Sequence, residues 1–242
     1  MDAIRIEGLT KRYKNVTAVD GLCLTVKQGE LLSLLGVNGA GKTTTVKMLS
    51  CLTAPTEGDA FLHGKSILRE PAAVKAMIAV SPQETAVAPG LTVKENLELM
   101  CGVFGFSAEK RAERIRELTA LLSLDAVLAR KAGKLSGGWQ RRLSIAMALI
   151  SEPRVLFLDE PTLGLDVIAR SDLWEIVTAL KGKVTVILTT HYMEEAEALS
   201  DRVAILKEGK LLLCDTPEGI KEHAGTDHFE QAFIRLVKGV GK

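Results

Sequence analysis

The sequence contains no apolar run approaching the ~18 residues that a membrane-spanning helix requires; its longest candidates, such as LSIAMALI (143–150), have the length of a buried core segment. It also has almost no net charge. Lys and Arg total 31 against 30 Asp and Glu, so bulk electrostatics favour neither nucleic acid nor an acidic lipid surface as a partner. The four cysteines, Cys23, Cys51, Cys101 and Cys214, show no CxxC spacing. They read as small buried hydrophobes in a reducing cytosol, not as a metal site or a set of disulfides. The opening MDAIRIEGLTKRYK is charged from its second residue and has no apolar h-region, so no signal peptide is expected. Internal repeats and low-complexity linkers are lacking too. The expectation is a soluble, cytosolic protein.

What is present is length and pattern. A chain of 242 residues suits one large domain, or a domain with a lobe inserted, and is ample for a sizeable core. IRIE (4–7) and LCLTV (22–26) alternate in polarity, as half-exposed antiparallel strands do. LLSLL (31–35), VLFL (155–158) and VTVIL (184–188) are nearly continuous and apolar, as strands covered on both faces are. Each leads through polar residues into a helical pattern, which predicts an α/β sheet with parallel central strands. Between Pro89 and Leu135 the pattern turns wholly helical, with Ile115, Leu118 and Leu122 on one face and the charge run EKRAERIRE on a solvated one. After Leu213, PEGIKEHA and FEQAFIRLV predict two short closing helices.

Gly36-Val37-Asn38-Gly39-Ala40-Gly41-Lys42-Thr43 follows a buried strand and opens a helix, with the spacing GxxxxGK[ST]. In that context the glycines let backbone N–H groups turn inward around phosphate oxygens, and the helix start adds its positive dipole end. Lys42 then reaches the β- and γ-phosphates of a nucleoside triphosphate, and the Thr43 hydroxyl suits Mg²⁺. At the end of a second buried strand, VLFLDE (155–160) places Asp159 for the Mg²⁺ shell and Glu160 to polarise an attacking water. Ligands in open α/β sheets gather at the carboxyl ends of strands, and Gly36, Asp159 and His191 all follow such ends. His191 is therefore a candidate for the γ-phosphate.

With these pieces in order, residues 2–220 resemble an ATP-binding cassette (ABC) ATPase, the nucleotide-binding subunit of ABC transporters. The resemblance implies a P-loop core with a mostly parallel sheet, an N-terminal antiparallel subdomain, a helical lobe inserted at about 89–150, and a short helical tail at 221–242. It implies ATP and Mg²⁺ as ligands, with nucleotide contacts from Gly36 through Thr44. Tyr13 matches the aromatic that stacks on adenine, and Gln83 (VSPQE) the glutamine that links Mg²⁺ and the attacking water to the lobe. Asp159, Glu160 and His191 match the Mg²⁺ ligand, catalytic base and switch histidine. Leu165-Asp166 match a loop that crosses the cassette dimer interface beside the nucleotide.

LSGGWQRRL (135–143) carries the signature LSGG of the same family. The resemblance implies that two cassettes close head to tail, each ATP lying between the P-loop of one and the signature of the other. Ser136 would then donate to the γ-phosphate, with the N–H groups of Gly137 and Gly138 free at a helix start. Two positions depart from the family pattern: Trp139 stands where glutamine or methionine is frequent, and Val37 where proline is. Subfamily wording, LTVKENLELMCGVFG (91–105) and THYMEEAEALSDRVAIL (190–206), is similar to ATPase subunits of drug-resistance-type exporters. That likeness implies an integral-membrane permease on a separate chain, and peripheral attachment at the inner face of the cell membrane. The second cassette is expected to be another copy of this chain, a different cassette being the alternative. A nutrient-importer ATPase shares the same chemistry. A soluble ABC-type ATPase of DNA repair or translation would carry a long coiled-coil insertion or tandem cassettes, so no nucleic-acid partner is expected.

Overall fold

The computed structural model describes residues 1–239. Two strands, β1 (Asp2–Tyr13) and β2 (Val16–Lys27), form an antiparallel pair, and β3 (Leu31–Leu35) runs into helix α1 (Lys42–Leu49). Next come β4 (Glu57–Leu62), β5 (Lys65–Ser66), α2 (Pro71–Met77) and β6 (Ile78–Ser81). The lobe follows as α3 (Val93–Val103), α4 (Ala108–Leu121), two short 3-10 turns and α5 (Gly137–Leu149). The core then resumes with β7 (Val155–Asp159), α6 (Val167–Thr178), β8 (Thr185–Thr190), α7 (Met193–Leu199), β9 (Arg202–Lys207) and β10 (Lys210–Asp215). Helices α8 (Pro217–Ala224) and α9 (Phe229–Lys238) close it.

The strands make two sheets. One has the order β2-β1-β4-β5 and is antiparallel; the other has the order β10-β9-β3-β8-β7-β6. Within the second, β9, β3, β8, β7 and β6 are all parallel to their neighbours, and only β10 is reversed. All residues of β3, β7 and β8 are buried, as their unbroken apolar runs require. The fold is the expected α/β P-loop core.

Each lobe helix has a local reason to begin. Thr92 and Glu95 form a reciprocal capping box at α3, and the Ser107 side chain caps α4. What holds α4 down is apolar burial. Ile115, Leu118 and Leu122 join Val93, Leu97, Leu143, Leu156 and Leu188 in one cluster, each such side chain contributing roughly 1.5–3 kcal/mol. The Arg114–Glu117 ion pair on the same helix has one partner largely in solvent and contributes about 0.5 kcal/mol at most. The lobe is thus continuous with the core of the parallel sheet.

One expectation, four buried cysteines, needs revision. Only Cys101 is buried; Cys51 and Cys214 are half-buried and Cys23 is exposed. In LCLTV the residues Leu22, Leu24 and Val26 point inward, so the period of two turns Cys23 outward. Burial pushes the Cys214 thiol up to about 11, which leaves it protonated at neutral pH. The two closing helices are present, α8 and α9. A boundary at 220/221 falls inside α8, and Ile220, Phe229 and Phe233 pack directly on Leu35, Val203 and Ile205 of the sheet. Residues 240–242 of the expected tail lie outside the described residues.

Candidate functional site

The loop after β3 is shaped by positions where no side chain fits. A Cβ on Gly36 would lie 2.5 Å from the Leu206 carbonyl oxygen and 2.8 Å from the Ala40 Cβ. Gly41 adopts φ +100°, and a Cβ there would lie 2.5 Å from the Ala18 carbonyl oxygen. Such backbone conformations and close approaches favour glycine. Helix α1 starts immediately afterwards without a side-chain cap, so its first N–H groups face the loop it grew from.

Lys42 folds back over this loop. Its Nζ donates to the carbonyl oxygens of Gly36 at 2.7 Å and Val37 at 3.3 Å, and lies 3.8 Å from Glu160 Oε1. Burial pushes its pKa down, while Glu160 and Asp159 oppose that shift. An ammonium has three donors, so one remains for an anion entering the loop.

Both acids come from the end of β7, beside β8. Asp159 ends β7 opposite Thr189 of β8, and its Oδ1 accepts from the Thr189 hydroxyl and from Thr43 Oγ1 at 3.4 Å. Glu160 takes a left-handed backbone, φ 46°, uncommon for a residue with a side chain. Its N–H holds that turn by donating to Thr189 at both the carbonyl oxygen, 3.1 Å, and Oγ1, 3.0 Å. The Glu160 carboxylate therefore stands between Lys42 and His191, whose Nδ1 is 3.3 Å from Oε1 without hydrogen-bond alignment.

These groups border a cavity of about 850 Å³, whose lining includes Asn38 through Thr44, Gln83, Glu160, Leu163 and His191. Gly36, Val37 and Asp159 adjoin these residues in sequence but do not line the cavity. Gln83 follows β6, and its loop is gripped from below. Arg141, buried in α5, donates from Nη1 to the Pro82 oxygen at 2.6 Å and from Nη2 to the Gln83 oxygen at 2.5 Å. Tyr13 does not line the cavity. It is half-exposed at the end of β1, paired across the ladder with Val16, which does.

Ser136, Gly137, Gly138 and Asp166 also lie outside this cavity. Ser136 is the N-cap residue of α5 yet makes no side-chain cap bond. It opens instead on a separate groove of about 170 Å³ shared with Trp139, Arg142, Asp166 and Ile168. A Cβ on Gly138 would lie 3.0 Å from that of Ala169, so the glycine lets α5 and α6 approach. The Asp166 carboxylate caps α6, accepting from the N–H groups of Ile168 and Ala169 at 3.0 Å. The Arg142 guanidinium lies 4.8 Å over the Trp139 ring. Gln140 turns away, its Nε2 donating to the carbonyl oxygens of Ala132 and Leu135.

Sequence reasoning missed two residues here. Thr189 had a visible signal, hydroxyls closing an apolar strand beside an acidic one. Arg141 had none, because its partners are 58 and 59 positions away.

Residues 19–163 match the family described as ABC transporter. The daunorubicin resistance ATP-binding protein DrrA2 of Streptomyces coeruleorubidus is 42% identical over 229 residues, 94% of this chain and 71% of that protein. Among solved structures, an ATP binding subunit of an ABC transporter is similar with a TM-score of 0.85 and 27% identity, over 97% of this chain and 99% of that one. The dimeric, post-hydrolysis structure of an ATP-binding cassette with ADP and Pi is similar with a TM-score of 0.78 and 28% identity, over 88% and 98%.

Proposed function

The chain belongs to the ABC transporter family and is an ATPase of it, and from that premise we propose that it works in a head-to-tail pair of cassettes, powering export through a membrane subunit on a separate chain. What supports the paired reading is one observation: Ser136, Gly137 and Gly138 border none of the cavity where Lys42 and Glu160 meet. Their N–H groups and the free Ser136 hydroxyl suit phosphate oxygens, so in this reading they serve the ATP held by the other cassette.

Within one site, the loop N–H groups and Lys42 bind the phosphates, and Glu160 takes a proton from the attacking water. His191, in van der Waals reach of Glu160, orients that carboxylate and meets the γ-phosphate. Thr43 and Asp159 face each other with hard oxygen donors, a set that suits Mg²⁺, and Gln83, which lines the same cavity as Thr43, would complete it. When bound, Mg²⁺ supplies neutralising charge for the β- and γ-phosphate oxygens. Tyr13, paired with Val16 at the cavity's edge, would stack on adenine once the nucleotide extends past Val16.

Export is favoured over import by the likeness to a relative named for daunorubicin resistance. No helix among the described residues is long and apolar enough to cross a membrane. On the transporter reading the chain sits peripherally, at the inner face of the cell membrane, on a permease. Detergent extracts should yield it bound to an integral-membrane protein; recovery only with ribosomes or DNA would overturn the transport reading.

A further inference from the structure

Helix α5 does more than present the signature. On its second turn Arg141 is 5% exposed, and among the described residues it makes no ion pair. A guanidinium taken out of water is costly unless its donors are used. Here they are used on two consecutive backbone carbonyls, those of Pro82 and Gln83, at 2.6 and 2.5 Å. The rigid two-pronged donor fixes direction as well as distance, which a lysine's single charged point cannot do. Three residues along the same helix face, Ser144 Oγ lies 3.2 Å from Ser81 Oγ. Three successive residues, 81 to 83, are thus tied to one helix.

The far end of that helix is Ser136. Gln83 borders the nucleotide cavity, whereas Ser136 faces the groove outside it. A shift of the Gln83 loop must therefore be carried along α5 to the signature, or else break a buried two-bond contact. A simple anchor for the fold would need only one such bond, at any point of the loop; the fork falls on the carbonyl of Gln83 itself.

We propose that Arg141 is a positioning residue that locks the Gln83 loop to the signature helix, so that ATP gripped in this chain's cavity sets the placement of the signature offered to the partner cassette. The idea rests on the paired reading above. It makes the two sites of a dimer cooperative through a contact inside each chain.

A double-mutant cycle on the full chain tests it. Arg141→Gln should lower the turnover number roughly tenfold, the scale of a small misplacement at a reacting centre, and bring the Hill coefficient for ATP towards one. Nucleotide binding to the monomer should stay within about twofold. In a Gln83→Ala background the same change should cost less than about twofold, because the residue it acts through is gone. Arg141→Lys, which keeps charge and volume, should give an intermediate loss that Gln83→Ala also erases, and it serves if the glutamine variant folds poorly. Equal losses in both backgrounds, or an unchanged Hill coefficient in Arg141→Gln, would overturn the proposal. A Glu160→Gln chain that dimerises with ATP keeps the paired reading alive in either case; if that chain stays monomeric, the paired reading itself is lost.

Discussion

The cavity at the P-loop and the groove at the signature are both lined by glycine and hydroxyl groups at the start of a helix, yet their internal bonding differs. In the cavity the chain answers its own charges: Lys42 lies on Gly36 and Val37 and near Glu160, and Asp159 is held by Thr43 and Thr189. In the groove the Ser136 side chain caps nothing, and the nearest charged pair, Arg142 with Asp172 at 2.6 Å, serves to join α5 to α6. Polar groups that satisfy one another define a site that a single chain can assemble. Polar groups left free at an exposed helix start need something brought to them.

The sharpest way to separate the two regions is to damage them on different chains. A Lys42→Ala chain loses the cavity's cation, and a Ser136→Arg chain fills the groove; each alone should be inactive. In a mixture, about half of the dimers are mixed by random pairing, and each of those contains one site with Lys42 from one chain and Ser136 from the other. Nucleotide trapping should reappear on mixing. If it does not, while mixed dimers are shown to form, cavity and groove belong to one site on one chain.

Next in size, Glu160→Gln keeps the shape of the cavity and removes only its proton acceptor. Turnover should fall ~10²–10⁴-fold, with ATP binding intact and an ATP-bound dimer accumulating in light scattering. Near-normal turnover would take Glu160 out of the chemistry and weaken the contrast between a reacting cavity and a merely binding groove.

The smallest effect is expected in the groove. Trp139→Gln loses the stacking of Arg142 on the ring, ~0.5–1 kcal/mol at a partly exposed position. For a chain of this size the thermal midpoint should drop by ~1–4 °C. A fall beyond ~10 °C, read by calorimetry, would mean that the groove is built into the fold as firmly as the cavity.

How much of this was legible depended on how locally it is encoded. The P-loop is eight consecutive residues after a buried strand, and Asp159, Glu160 and His191 end apolar runs, so position in the sheet follows from pattern alone. The signature's outward placement followed from the family resemblance; its separation from the chain's own cavity is visible only in three dimensions. Arg141 was unreadable because nothing near it in sequence marks the Gln83 carbonyl as its partner. Cys23 was readable and misjudged: the alternation that buries Leu22 and Leu24 already assigns it to the outer face. The closing helices were foreseen as helices, but their packing on Leu35 through Phe229 and Phe233 depends on a sheet surface assembled from distant strands.

The hold of Thr189 on Glu160 and Asp159 has a consequence for how force is generated. One threonine fixes both acids, and it does so from the neighbouring strand of a fully buried ladder. The Asp159 carboxylate and the Glu160 backbone are then held as firmly as the sheet itself. In the proposed cycle any displacement falls to the Gln83 loop and the helix tied to it, which move against that bed. In that cycle the lobe carries the stroke, and the sheet serves as its frame of reference.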